Sequence, residues 1–339
     1  MHEPTRCRKK ASIVDVASAA GVSPTTVSHA LSGRRHVSEK TVSAIRRAMG
    51  ELEYVPSHAG RSLRLGDTGL LGLQVPDISN PFYAELARGV EDVAESLGLN
   101  VLLCNTNSEP AREERYAEVF RSHVVDGLIC AAAPEPAAIE RLAKELPVVI
   151  VNEVAGESGL DTVCTDNERG GALAAEHLRG LGHRQVLVID GPLGSPAGEL
   201  RRKGFEQAFA ADGVTVRHRR GDYRAAAAVR IVRRELEANG PWFSAVYAAN
   251  DVMAVAAIGE LVAHGLEVPA EVSVVGYDDS QLAELVTPSL TTVRQPVYEM
   301  GRAGAERLAA AIRGDDPIRS QTILEVELVP RESTARRAD

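Results

Sequence analysis

The sequence predicts a small all-α headpiece joined to an α/β core of two doubly wound parallel-sheet subdomains. Three observations carry this expectation. Residues 12–52 hold three helix-period stretches in quick succession, the first two opening on a capping serine. From Thr68 onward, near-continuous apolar strands alternate with amphipathic helices, the pattern of parallel sheets covered on both faces. The alternation runs through roughly 220 residues, more than one sheet usually holds, so two sheets are expected.

Ser12 and Asp15 have the S-x-x-D spacing of a capping box, so the first helix starts at Ile13. Val16, Ala17 and Ala20 form its apolar side, and Gly21 ends it where the chain must turn. Ser23 caps a second helix whose first residue, Pro24, sits where no backbone N–H is needed. From Pro24 to Leu31, Val27, Ala30 and Leu31 share one side, and Thr25, Thr26, Ser28 and His29 the other. Small apolar residues inward with hydrogen-bonding residues outward suit a DNA major groove; a generic helical hairpin is the plain alternative. A third helix is expected from about Glu39 to Leu52, with Val42, Ile45, Met49 and Leu52 as its packing stripe. Lys40, Arg46 and Arg47 lie off that stripe, as phosphate contacts or simply as solvated charge.

The next stretch, YVPSHAGRSLRLGDTG, has Pro56 as a break and Ser57 as a cap for a short helix, His58 to Leu63. So short a helix needs a partner helix and a groove to fold. Leu63, apolar between Arg61 and Arg64, is either a wedge between base pairs or an incidental leucine in a tether. Residues 1–11 form a basic arm or a solubilising tail. The expected division is a headpiece over 1–56, a hinge over 57–67 and a ligand-binding and dimerisation core over 68–334.

In the core, LLGLQVPDI is a strand, followed by a helix over NPFYAELARGVEDVAESLG with Phe82, Leu86, Val90 and Val93 inward. Then come the strand NVLLCNTN, a helix from Pro110 to about His123, and the strands VDGLICAAA, PVVIVNEV and DTVCTD. The series continues with a helix from about Asn167 to Leu181, the strand QVLVID, helices from about Gly198 to Ala211 and over Arg224–Ala238, the strand SAVYAAN, a helix over Asp251–His264 and the strand VSVVGYDD.

Hydrophobic residues make up 44% of the 339 and charged residues 25%, an ordinary globular balance. The net charge of −9 divides unevenly: residues 1–66 hold 11 Lys and Arg against 5 Asp and Glu, a surplus of +6, and the remainder is at −15. A basic head on an acidic body fits a head that neutralises phosphates. The first residues, MHEPTRCRKKASI, lack the apolar stretch of a signal peptide, and no run of 18 apolar residues exists to span a membrane. Cys7, Cys104, Cys130 and Cys164 are scattered, as free thiols of a reducing cytoplasm are, rather than a disulfide frame or zinc site. A cytoplasmic, nucleoid-associated protein without cofactor or metal is expected.

In open α/β sheets ligands bind beyond the carboxyl ends of the strands. The polar and aromatic residues there are Asp77, Ser79, Asn80, Phe82 and Tyr83 after the first strand, and Asn152, Asp166, Tyr223, Asn250 and Asp278 after later ones; Arg201 lies in a following helix. A carboxylate accepting hydroxyl hydrogens, a guanidinium fork and aromatic faces suit a polyol. A purine or another small polar metabolite would use the same groups. Strand-end Asp and Asn also commonly cap helices, and Phe82 fits a core equally well. An enzyme is disfavoured: no G-x-G-x-x-G or G-x-x-x-x-G-K-[ST] occurs, and Gly194-Ser195-Pro196-Ala197-Gly198 puts its serine one place early for a nucleophile elbow.

Taken together, DVASAAGVSPTTVSHALSG, VPSHAGRSL, PDISNPFYAEL, VDGLI, TDNERGGALAAEHLRGLGH, GP with RRKGF, GDY, AAND and VSVVGYDD with LTTVRQP resemble the lac/gal repressor family of bacterial transcription regulators, from Ser12 to about Ser333. The resemblance implies a ligand-responsive repressor with a helix-turn-helix headpiece, a hinge helix and a core like the periplasmic binding proteins (type I). Its N-subdomain would cover about 68–165 and 295–322, and its C-subdomain about 166–294 and 323–334. A periplasmic solute-binding protein would share the core but lack the basic headpiece. Carried over, Pro24, Thr25 and His29 stand at base-reading positions, with Ser23, Thr26 and Ser28 at phosphate contacts. His29 replaces a frequent arginine and lacks its bidentate fork. Ser57, His58 and Arg61 join Leu63 at the hinge, where Leu63 matches the wedging leucine and Gly60 stands in place of a common alanine. Arg201, Asn250 and Asp278 match ligand contacts, with Phe82, Tyr83 and Tyr223 as flanking aromatics and Asp77 and Asp166 beside them. The expected partners are double-stranded operator DNA, a sugar-like or purine effector, and a second copy of the chain, since one recognition helix reads only a half-site.

Overall fold

The computed structural model describes residues 11–32, 35–54, 67–131, 136–153, 159–210, 213–315 and 321–337. The chain divides into two units, Met1–Thr68 and Gly69–Asp339.

The first unit holds three helices: α1 (Ile13–Ala19), α2 (Pro24–Ser32) and α3 (Glu39–Glu51). Ser12 and Asp15 form the reciprocal capping box expected at the start of α1. Gly21 takes the left-handed turn at φ +69°, open to glycine without a Cβ penalty. Val16, Ala17, Val27, Ile45 and Ala48 make the buried centre, flanked by Ile13, Ala20, Val22, Ala30, Met49, Leu52 and Tyr54. Leu31 departs from expectation. It is 43% exposed, because on this short helix Val27 alone reaches the centre while Leu31 lies a turn further on. The hinge, with Ser57, His58, Gly60, Arg61 and Leu63, lies outside the described residues.

In the core unit, β1 (Leu70–Val75), β2 (Asn100–Asn105), β3 (Gly127–Cys130), β4 (Val148–Val151), β5 (Asp161–Thr165) and the late β11 (Gln321–Leu324) form one sheet, ordered β11-β5-β4-β3-β1-β2. Every pairing in it is parallel. The second sheet is ordered β12-β10-β9-β8-β6-β7, from β6 (Gln185–Asp190), β7 (Thr215–Arg220), β8 (Ala245–Ala248), β9 (Ser273–Asp278), β10 (Thr291–Arg294) and β12 (Glu327–Val329). Only the β10–β12 pairing in it is antiparallel.

Side chains alternate along each strand, so each sheet feeds two cores. In β4, Val149 and Val151 pack with α4 (Pro81–Ser96) and α12 (Val297–Arg313). Val148 and Ile150 face the opposite layer, with Phe120 of α5 (Pro110–Arg121) and Leu142 of α6 (Pro136–Leu142). The second sheet is covered likewise. On one face lie α7 (Asn167–Gly180) and α8 (Pro196–Phe209), on the other α9 (Ala225–Asn239) and α10 (Asp251–Ala263). A further short helix, α11 (Gln281–Leu285), follows β9.

The α7–α8 crossing is closed by two glycines. A Cβ on Gly171 would overlap the Arg201 carbonyl oxygen, and one on Gly204 would overlap that of Glu168. Neither backbone leaves room for any side chain at the other's contact point. The chain passes between the two sheets after β5, between β10 and α12, and between β11 and β12. The last passage comes after Leu324, so β11 stays wholly in the first sheet instead of being divided at residue 323.

Candidate functional site

Two surfaces gather the residues singled out from the sequence, one in each unit. In the headpiece, α2 presents Pro24 and Thr25 exposed and Thr26, Ser28 and His29 partly so. Ser23 caps the helix: its Oγ accepts from the Thr26 N–H at 3.1 Å and lies 2.8 Å from Thr26 Oγ1. This fixes the start of α2. Lys40, Arg46 and Arg47 are exposed.

In the core, the strand ends of the two sheets converge on a cleft. Arg201, on α8 and 4% exposed, donates from Nε to Asn167 Oδ1 at 2.7 Å and from Nη1 to the Ala249 carbonyl at 2.8 Å. Its guanidinium carbon lies 3.8 Å from the centre of the Tyr277 ring, a cation–π contact. Burial works against the charge, but Tyr277, Tyr223 and Asp278 outweigh it and hold the group protonated. Asp278 ends β9 with a left-handed φ of +119°, and Gln295 donates to its Oδ1 at 2.8 Å. Burial pushes its carboxyl well above the ordinary range, Arg201 and Gln295 pull it down, and Asp251 adds to the rise. Asp251, fully buried nearby, accepts from Thr292 Oγ1 at 2.6 Å and from the Ser280 N–H at 2.7 Å, and burial raises its carboxyl as well.

Tyr83 is buried, and Glu153, Tyr223, Asp278 and Arg201 all act on its hydroxyl, whose pKa burial drives well up. The Tyr223 hydroxyl lies 3.2 Å from Ser195 Oγ. Its backbone has a φ of +64°, costly for a residue with a Cβ. Asn250 Nδ2 braces that backbone by donating to the Tyr223 carbonyl at 3.0 Å.

Thus Tyr83, Arg201, Tyr223 and Asp278 come together. The other residues expected at the site also have structural partners. Asn250 Oδ1 caps α10, and Asp166 is exposed and caps α7 through the Arg169 N–H. Phe82 belongs to the core beneath α4 and meets Tyr83 edge-on at 5.0 Å. Asn80 caps α4. Asp77 Oδ1 takes two hydrogen bonds from Ser79, and Oδ2 takes one from Arg224 Nε at 3.2 Å. Burial raises the Asp77 carboxyl pKa, but these bonds outweigh it and leave the value lowered.

Sequence reasoning missed several residues here. Arg224 ties the two subdomains at the cleft edge, its Nη2 also reaching Asn107 Oδ1 at 2.8 Å. Gln295 joins Thr165, at the end of β5, to Asp278, accepting from Thr165 Oγ1 at 2.6 Å. Asn167 and Tyr277 cradle Arg201. Glu153, next to Asn152, reaches α8 from the other subdomain: Ser195 Oγ donates to one oxygen at 3.1 Å and the Ala197 N–H to the other at 3.0 Å. Gln295 stands in LTTVRQP and Arg224 directly follows GDY, but nothing local marks either as a bridge.

The likeness to known proteins matches this anatomy. Residues 12–57 match the family described as bacterial regulatory proteins, lacI family, and residues 175–334 match the periplasmic binding protein-like domain. The chain is 37% identical to the HTH-type transcriptional regulator DegA of Bacillus subtilis, over 96% of this chain and 98% of that one. A solved complex of the transcriptional regulator CelR with cellobiose is 32% identical, with a TM-score of 0.73, over 95% of this chain and 99% of that one. The lac repressor dimer bound to operator and the anti-inducer ONPF has a TM-score of 0.85 at 28% identity, over 96% of this chain and 100% of that one.

Proposed function

The chain belongs to the lac repressor family of bacterial regulatory proteins, and from that premise we propose how it works as a ligand-responsive, non-enzymatic DNA-binding regulator. It represses carbohydrate-utilisation genes from the cytoplasm, at the nucleoid. It binds a pseudo-palindromic operator as a homodimer, because one recognition helix reads one half-site and specific affinity needs two at fixed spacing. Pro24, Thr25 and His29 read bases, Ser23, Thr26 and Ser28 hold phosphates, and the hinge residues Ser57, His58 and Arg61 contact DNA beside Leu63, which wedges into the minor groove. The effector is sugar-like and sits between the core subdomains, against Tyr83, Arg201, Tyr223 and Asp278, with Asp77, Phe82, Asp166 and Asn250 framing them.

The observation that carries the effector reading is the buried Arg201–Tyr277–Asp278 group at the strand ends, ringed by Tyr83 and Tyr223. It offers a donor fork, an acceptor and aromatic faces to a polyol. No helix among the described residues is long and apolar enough to cross a membrane. The test is selection of binding fragments from the source genome, then gel shifts over a salt series with and without a panel of neutral sugars. Salt-dependent, sequence-specific shifts that a sugar alters are expected. Equal binding to selected and scrambled DNA, or a monomer by sedimentation with full affinity, would overturn the reading.

A further inference from the structure

We propose that Glu153 sets the charge class of the effector, so that the cleft takes an uncharged polyol and turns away phosphate esters and other anions. The inference rests on the cleft reading above and adds the residue that decides between a sugar and its phosphate.

The start of α8 has the makings of an anion site: backbone N–H groups at a helix N-terminus, with the Ser195 hydroxyl beside them. That position is already taken. Glu153 enters from the first subdomain, 8% exposed, and its two oxygens accept from Ser195 Oγ at 3.1 Å and from the Ala197 N–H at 3.0 Å. Ser195 Oγ in turn accepts from the Gly198 N–H at 3.1 Å, so the donors of the first turn are consumed by the chain itself.

Both arginines of the cleft already spend part of their donors within the protein. Arg201 donates to Asn167 and Ala249 and lies over Tyr277. Arg224 donates to Asp77 and Asn107. An anionic ligand would therefore meet a buried carboxylate where it needs donors, and like charges at short range in a buried site repel strongly. A neutral polyol meets no such conflict. Next to Glu153, the Asn152 Oδ1 is buried without a hydrogen-bond partner among the described residues, a ready acceptor for a hydroxyl hydrogen.

The test uses the full-length protein, with inorganic phosphate as the probe, beside neutral pentoses and hexoses paired with their phosphate esters. Binding is read by calorimetry and thermal shift at matched ionic strength. Wild type should show no saturable phosphate binding and at least tenfold weaker binding of each ester than of its neutral parent. Glu153→Ala frees the Ser195 hydroxyl and the Ala197 N–H at the start of α8 and should bring phosphate binding into the saturable range, a gain of at least roughly tenfold over the wild-type detection limit. Glu153→Gln keeps the size, loses the charge and should fall between.

Saturable phosphate binding by wild type overturns the proposal, as does any ester binding as well as its parent. So does indifference to phosphate in both variants when their circular dichroism is native, including the case where they only expand in solution scattering, which would make Glu153 a latch and nothing more. The wild-type panel decides even if Glu153→Ala does not fold. Arg201→Ala distinguishes the two readings: undiminished binding of a neutral sugar there would sink the cleft reading, while the phosphate result at α8 would stand by itself.

Discussion

At the scale of the residue, the cleft is built from polar side chains buried with only part of their hydrogen-bonding capacity used. Arg201 and Asp278 are nearly inaccessible, yet neighbouring groups take up only some of the donors of the one and the acceptors of the other. Hydrogen bonds to charged groups are worth about 1.5–3 kcal/mol. Arg201→Lys, which keeps the charge and loses the fork, and Asp278→Asn should each weaken effector binding roughly 10- to 100-fold. Operator affinity without effector should stay nearly unchanged. Calorimetry against the effector together with operator titration checks both halves of this expectation. Unchanged effector affinity in both variants would place the pocket elsewhere.

At the scale of the element, the position of Arg201 depends on how closely α7 and α8 cross. The Arg201 carbonyl itself occupies the space that a Cβ on Gly171 would need. Gly171→Ala and Gly204→Ala must push the helices apart, at a cost of about 1–3 kcal/mol for overpacking a core. They should lower the urea midpoint and, by shifting α8, weaken effector binding as well. Gly259, on α10, faces open space: a Cβ there would have no neighbour within 4 Å. Gly259→Ala should therefore be neutral or gain up to about 1 kcal/mol from helix propensity. In the hinge, Leu63→Ala should reduce the ratio of specific to non-specific DNA affinity while the basic headpiece still binds loosely. An unchanged ratio in titrations with operator and scrambled DNA would make that segment a tether.

At the scale of the whole molecule, buried carboxyls give the core a defined response to pH. Burial raises Asp251, Asp278 and Glu153 above their unfolded values near pH 4. The folded state then binds more protons than the unfolded one, so these groups' contribution is fully present in acid and is lost as pH rises through the raised values. Asp77 acts in the opposite sense. Despite burial, its bonds from Ser79 and Arg224 lower its pKa, so its contribution is present above the unfolded value and lost as pH falls. His177 and His183, whose pKa values burial lowers, oppose these carboxyls as pH rises. Relative to wild type, Asp278→Asn should therefore make the melting temperature fall less, or rise more, from mildly acidic to alkaline pH; an unchanged slope would contradict the assignment. Closure of the cleft belongs to this scale too. Arg224, Glu153 and Gln295 each join the two subdomains, so an effector can shift operator affinity only by its differential affinity for the arrangements those ties allow.

Much of this was legible in the sequence, because the signals involved are local. A capping serine followed by a helix-period stripe depends on residues three and four apart, and α1 to α3 begin at the expected residues. Apolar runs marked β1 to β6, β8 and β9. They did not mark β7, Thr215–Arg220, whose sequence TVRHRR lies at a sheet edge with charged side chains exposed, as edge strands often are. Nor did they mark α6, only seven residues long, or the elements after β9, where β10, β11 and β12 run only three or four residues and the helices α11 and α12 were not anticipated. The strand-end rule pointed to the cleft but not to the partner of each side chain. Asp166 and Asn250 turned out to be caps, and Leu31 came to the surface. Thr165 meets Gln295 130 residues further on, and Asp77 meets Arg224 across 147. Those meetings exist only because the chain passes between two sheets and packs α7 on α8 at glycine distance. Nothing within a few residues of Glu153 announces that its carboxylate will lie against the start of α8. Local chemistry determined the elements and the kind of site; the long-range packing of two sheets decided which charges face each other inside it.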